Sequence, residues 1–157
     1  MKALAAALER AGFRSVRTYI QSGNVIFQSA GGTARTLGTR IAQLILEEFG
    51  FAPPVMVISR EELARAVRGN PFPEAHKNHK LLHIYFLSET PVKPDLASLA
   101  KLDAGREAFA LKNGVFYLYT PDGFPDSVLG SRIERCLGVA ATARNWRTVN
   151  ELLRMLD

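Results

Sequence analysis

One cysteine in 157 residues, Cys136, has no partner for an internal disulfide, which fits a reducing compartment. No apolar run approaches the roughly 20 residues of a spanning helix. Met1-Lys2-Ala3 opens on an alanine-rich amphipathic segment without a signal-peptide core. A cytoplasmic protein is expected. Nucleotide-binding glycine loops, the paired-histidine zinc motif, the nucleophile elbow and C-x-x-C are all missing, so the common nucleotide, metal and hydrolase routes lack support. The 20 Lys and Arg against 15 Asp and Glu give a net charge of +5, yet no polybasic run concentrates it. A scattered charge of this kind describes a mildly basic, solvated surface and argues against specific nucleic-acid recognition.

What remains is an ordinary globular composition, 47% hydrophobic and 22% charged. A chain of this length buries roughly 70% of its unfolded surface, enough for a core without disulfide or metal. Residues 1–12 place Leu4, Leu8 and Ala11 on one helical face and stop at Gly12. Val16, Thr18 and Ile20 then alternate with Arg17, Tyr19 and Gln21, and Ser22-Gly23-Asn24 supplies a turn before Val25-Ile26-Phe27. A helix is predicted from Ala34 to Phe49, with Leu37, Ile41, Leu44, Ile45 and Phe49 on one face. Val55 to Ile58 reads as a short strand, and Ser59 with Glu62 as a capping box for a helix ending near Gly69.

Asn70-Pro71-Phe72-Pro73 breaks that helix and opens a polar stretch, so the predicted division is 1–70, a linker over 71–80, and 81–157. In the second part, Leu81 to Leu87 reads as a strand and Asp95 caps a short helix. Ala108–Leu111 and Val115–Tyr119 form a hairpin around Asn113-Gly114. A helix follows from Ser127 to Leu137, then an extended piece near 140–143 and a final helix carrying Trp146, Val149 and Leu152. The expected fold is therefore α+β, with two tandem ferredoxin-like (βαββαβ) subdomains, the first missing its opening strand, as after an internal duplication.

The segment from Arg17, RTYIQSGNVIF, and that from Thr142, TARNWRTV, with the Pro121-Asp122-Gly123 turn, resemble the bacterial family called domain of unknown function 1697. The resemblance implies tandem ferredoxin-like halves and no established activity. Family members usually begin with a strand and a glycine-rich turn that this sequence does not contain. Where the family commonly carries Ser-Lys-Leu, this chain has Ser127-Val128-Leu129.

Two clusters carry candidate chemistry. In the first, Arg17, Tyr19, Gln21, Ser22 and Asn24 offer polar groups on a flexible turn for an anion or polar ligand, although a hairpin turn explains the same residues. In the second, Arg144, Asn145, Trp146 and Thr148, beside Arg147, combine a guanidinium fork, an amide and an indole at a helix start. A helix cap and a core anchor explain those equally. His76, His79 and His83 have helical spacing, but two lie in a polar loop and one in a strand, so no metal or cofactor is expected. Cys136 sits in an apolar stripe, as a structural thiol does. The aromatic run Val115 to Tyr119 matches RNA-binding strands poorly. The leading expectation is a binding module for an anionic small molecule or a protein partner, with self-association through the incomplete first sheet as one route. The alternatives are an enzyme on a phosphorylated small substrate, with Arg144 as charge clamp and Tyr19 as acid, and a weak nucleic-acid binder.

Overall fold

Thr33 opens the longest helix by reciprocal capping, its hydroxyl accepting from Thr36 N at 3.2 Å while Thr36 Oγ1 accepts from Thr33 N at 2.9 Å. The computed structural model describes every residue except Ser22, and with it that part of the first turn lies outside the described residues. The architecture is mixed α+β with two antiparallel sheets. Contacts divide the chain into two units, residues 1–60 with 154–157 and residues 61–153. No helix among the described residues is long and apolar enough to cross a membrane.

In the first unit, α1 (Lys2–Arg10) buries Ala7 and Leu8. The hairpin strands β1 (Arg14–Tyr19) and β2 (Asn24–Gln28) pair with Arg17 opposite Ile26 and Tyr19 opposite Asn24. α2 (Ala34–Phe49) ends where expected, at Phe49, with Gly50 as its left-handed C-cap. Leu8, Phe13, Ile41 and Ile45 form the core, with Val25, Phe27, Val55 and Val57 packed against it. Gly38 sits mid-helix in spite of its intrinsic cost of about 1 kcal/mol, because a Cβ there would lie 3.3 Å from the Val55 carbonyl oxygen. The glycine lets the 55–58 segment lie against α2.

Two expectations fail in this unit. Ile20 does not continue β1: the strand stops at Tyr19, and Ile20 takes φ 50° with 53% of its surface exposed. A residue entering a four-residue connection must turn the chain, which extended backbone cannot do. Val55 to Ile58 form no strand either: among the described residues β1 and β2 pair only with each other, and Val55 and Val57 pack against the core without joining the ladder.

The second unit begins in α3 (Arg60–Arg68), whose Glu61 and Glu62 lie in the first turn and Arg65 and Arg68 in the last, complementing the helix dipole. Strand β3 (Leu82–Leu87) follows two short 3-10 turns at Pro73–His76 and His79–Leu81. Then come α4 (Leu96–Ala100), the hairpin β4 (Ala108–Lys112) and β5 (Val115–Tyr119), α5 (Ile133–Leu137), β6 (Ala141–Asn145) and α6 (Trp146–Met155). Asn113 at φ 53° and Gly114 at φ 75° give the hairpin turn its two positive dihedrals, which only such residues adopt cheaply. The sheet order is β4-β5-β3-β6, antiparallel throughout. Tyr85, Phe116 and Leu118 pack with Leu99 of α4 and Ile133 and Leu137 of α5.

The stretch 71–80, expected as a linker, belongs to this second unit. Phe72 stacks on Tyr119 at 5.4 Å between ring centroids, and Lys112 Nζ donates to the Gly69 carbonyl at 3.2 Å. The helix expected from Ser127 starts only at Ile133. The Glu107 carboxylate captures Val128 N, Leu129 N and the Ser127 hydroxyl at 2.9–3.1 Å, holding 127–129 in a turn.

Tyr117 ties α3 to this sheet. Its hydroxyl donates to the Ala66 carbonyl at 2.6 Å, satisfying a group that the helix end leaves open. Burial pushes the phenol up to about 12, so it remains a donor at all ordinary pH. Tyr117→Phe should therefore cost about 1–3 kcal/mol of unfolding free energy, read by urea denaturation. A neutral effect would show that solvent serves the Ala66 carbonyl instead.

Candidate functional site

The first candidate cluster lies in the first unit and is held by the hairpin. Arg17 is exposed, and its guanidinium donates to the Met155 carbonyl. Asn24 is only 6% exposed, and its amide donates to the Tyr19 carbonyl at 3.3 Å, closing the base of the loop. Tyr19 is half-buried and Gln21 exposed, while Ser22 lies outside the described residues.

The second cluster lies in the second unit, where β6 runs directly into α6. Arg144, opposite Ile84, is half-buried, and its Nη1 donates to Thr142 Oγ1 at 2.9 Å and to the Ala143 carbonyl at 2.8 Å. Burial lowers its pKa, the direction expected when a guanidinium loses water. Asn145 Oδ1 accepts from Thr148 N at 2.9 Å, the arrangement of a helix cap. Trp146 and Thr148 are each 6% exposed, and the indole meets the His76 ring edge-on at 5.3 Å. These interactions belong to the cap and core of the fold.

Three other groups bear on chemistry. Phe116 and Tyr117 are at most 1% exposed, so β5 offers no open aromatic face on which bases could stack. Cys136 is half-buried at the edge of the α4/α5 layer, with a free thiol. The three histidines are dispersed: His76 and His79 lie in the 3-10 turns and His83 in β3.

A depression of about 260 Å³ in the second unit escaped the sequence reading. It is lined by Asp95, Ser98, Leu102, Arg132, Arg135 and Cys136. Asp95 is fixed there by Ser98, whose N donates to Oδ1 at 3.1 Å and whose hydroxyl donates to Oδ2 at 2.6 Å. Those hydrogen bonds hold the carboxyl below its ordinary range. Among the described residues neither Arg132 nor Arg135 enters an ion pair. The available signal was weak: an Asp-x-x-Ser cap and two arginines three residues apart, in segments that only the fold brings together.

His83 stacks on Phe124 with ring centroids 3.6 Å apart, and its buried Nδ1 makes no hydrogen bond among the described residues. Burial pulls its pKa from 6.5 down to about 4. Between these values the unfolded chain binds a proton that the folded chain refuses, so stability should fall as pH drops from about 6.5 to 4. Urea denaturation at neutral pH and at pH near 5 should show a smaller loss in His83→Phe than in the unsubstituted chain. Equal losses, or an NMR titration of His83 near 6.5, would contradict this.

The fold is similar to that of the conserved bacterial protein SP0830 from Streptococcus pneumoniae, with a TM-score of 0.71 at 19% identity, covering 100% of this chain and 88% of that one. At that identity the likeness speaks for the fold alone. None of the curated proteins compared matches. The match to a protein family covers residues 1–117, which includes the segment from Arg17 but not that from Thr142. The chain accordingly belongs to the family described as "Protein of unknown function (DUF1697)".

Proposed function

We propose that this chain is a cytoplasmic, non-catalytic binding module whose second unit takes a small anionic molecule in the depression between α4 and α5. The reading rests on one observation: two guanidinium groups that enter no ion pair among the described residues line that depression, while its only carboxylate accepts from Ser98 through both oxygens. Arginine presents a planar fork of donors that matches carboxylate and phosphate oxygens. Asp95 stays ionised and favours a ligand that also carries a hydroxyl or amino group. A bare anion would gain less.

An enzymatic role has less support at this place. Asp95 is held deprotonated and has no proton to give, and no histidine lines the depression. The fold reading behind the proposal is that of two ferredoxin-like halves. It is supported by the strand-helix-strand-strand-helix-strand succession of β3 to β6 and by the helix-hairpin-helix succession of residues 2–49. The free thiol of Cys136 accords with a reducing, cytoplasmic setting.

Titration with inorganic phosphate and with small hydroxy-carboxylates, followed by amide NMR shifts, tests the assignment. Shifts should concentrate on residues 95–102 and 132–136 and saturate, and Arg132→Gln or Arg135→Gln should weaken binding about tenfold, the value of one charge-assisted hydrogen bond. Saturable shifts located elsewhere, or none at millimolar ligand, would refute it.

A further inference from the structure

Two buried polar atoms of the second unit have no hydrogen-bond partner among the described residues: Nδ1 of His83 and the hydroxyl of Thr120. The sheet register brings them to one face. His83 of β3 lies opposite Leu118 of β5, and Thr120 carries the pairing past Tyr119, its N donating to the Leu81 carbonyl at 2.7 Å. Side chains alternate along a strand, so Thr120 points the same way as Leu118 and stands diagonally across from His83. Thr120 is 0% exposed. The loop above the pair is fastened over it: Phe124 lies on the His83 ring, Gly123 N donates to the Thr120 carbonyl at 3.2 Å, and Ser127 N to the Phe124 carbonyl at 3.0 Å. Leu118 and Phe124 offer no polar atom, and Asn145, opposite His83 on β6, uses its Oδ1 to accept from Thr148 N.

We propose that a single ordered water molecule bridges these two side chains, accepting from the Thr120 hydroxyl and donating to Nδ1 of an imidazole that carries its proton on Nε2. Geometry and chemistry select this occupant. Diagonal neighbours on adjacent strands have their Cβ atoms somewhat under about 7–8 Å apart, which leaves room for one small molecule between the two side-chain tips. The occupant must donate to Nδ1 and accept from a hydroxyl. Water does both, whereas a fully ionised anion has no proton to give. A metal ion needs more ligands, and no three His, Cys, Asp or Glu side chains gather to hold one among the described residues. Buried polar atoms that the protein leaves open are the places where such waters become part of a structure. The bridge joins the start of β3 to the end of β5 and fixes the ring on which Phe124 stacks. It does not draw on the anion-binding reading.

NMR of the labelled chain at neutral pH tests the proposal. A water resident for longer than the tumbling time of the protein should cross-relax with the Thr120 methyl and the His83 ring, and proton–nitrogen spectra of the imidazole should show Nδ1 unprotonated. Thr120→Val keeps the shape of the side chain and removes its hydroxyl. That variant should retain the circular dichroism of the fold and lose this one water. The proposal is overturned by the lack of a long-lived water at Thr120 and His83 in the unsubstituted chain, by a proton on Nδ1, or by a folded Thr120→Val chain that keeps the water. Should the variant fail to fold, the spectra of the unsubstituted chain decide alone.

Discussion

The second unit depends on the pairing of β3 along both of its edges. Leu82 to Phe86 line up residue by residue with β5 on one side, and His83 to Leu87 with β6 on the other. Backbone groups on a buried strand must be paired, since each one stranded away from water costs as much as a lost hydrogen bond. With Leu82 and Ile84 at 0% exposure, solvent cannot substitute. The hairpin β4-β5 and strand β6 are therefore fixed relative to each other by β3, and everything packed on them inherits that frame. The depression between α4 and α5 exists because both helices lie on the face carrying Tyr85, Phe116 and Leu118.

The first unit shows the same physics without a strand of that kind. Val55 and Val57 pack against the core although the segment forms no strand. Strand character is another matter, because it is a relation between two chains of backbone and not a property of Val-Met-Val-Ile alone. Apolar, β-branched residues make a segment suitable for a ladder. They do not supply the neighbour.

This distinction separates what was legible in the sequence from what was not. Features set by neighbours within a few residues were readable: α2 from Ala34 to Phe49, the Asn113-Gly114 turn, and the Asp95 cap. Features decided by distant groups were not. The helix expected from Ser127 starts only at Ile133, and the residues before it are tied to Glu107, about twenty residues earlier, through the Ser127 hydroxyl and the Val128 and Leu129 amides. The 71–80 segment looks like a linker by composition, yet Phe72 is anchored on Tyr119. The candidate site follows the same rule. Arg144 to Thr148 were conspicuous because contiguous, and much of their polar capacity goes into local cap and strand contacts. Arg132 and Arg135 were inconspicuous because Asp95 and Ser98 reach them only through packing.

The distribution of positive charge shows why a net value of +5 says little about partners here. Arginine contributes 14 of the 20 basic residues, and several of its guanidiniums are used as hydrogen-bond donors to the main chain. Arg40 donates to the Ala11 carbonyl while lying 4.7 Å above the Phe13 ring, Arg17 donates to Met155 and Arg144 to Ala143. Lysine could not do this as well, for its compact, strongly hydrated ammonium neither stacks nor forks. Arg10, Arg60 and Arg106 pair with Glu48, Asp157 and Asp122 at exposed sites, where such pairs contribute little to stability but do neutralise local field. A guanidinium engaged in this way keeps its charge but has fewer donors free for an anion. The useful quantity is therefore not the sum of charges but the places where guanidiniums without an ion pair among the described residues meet at one depression, as Arg132 and Arg135 do.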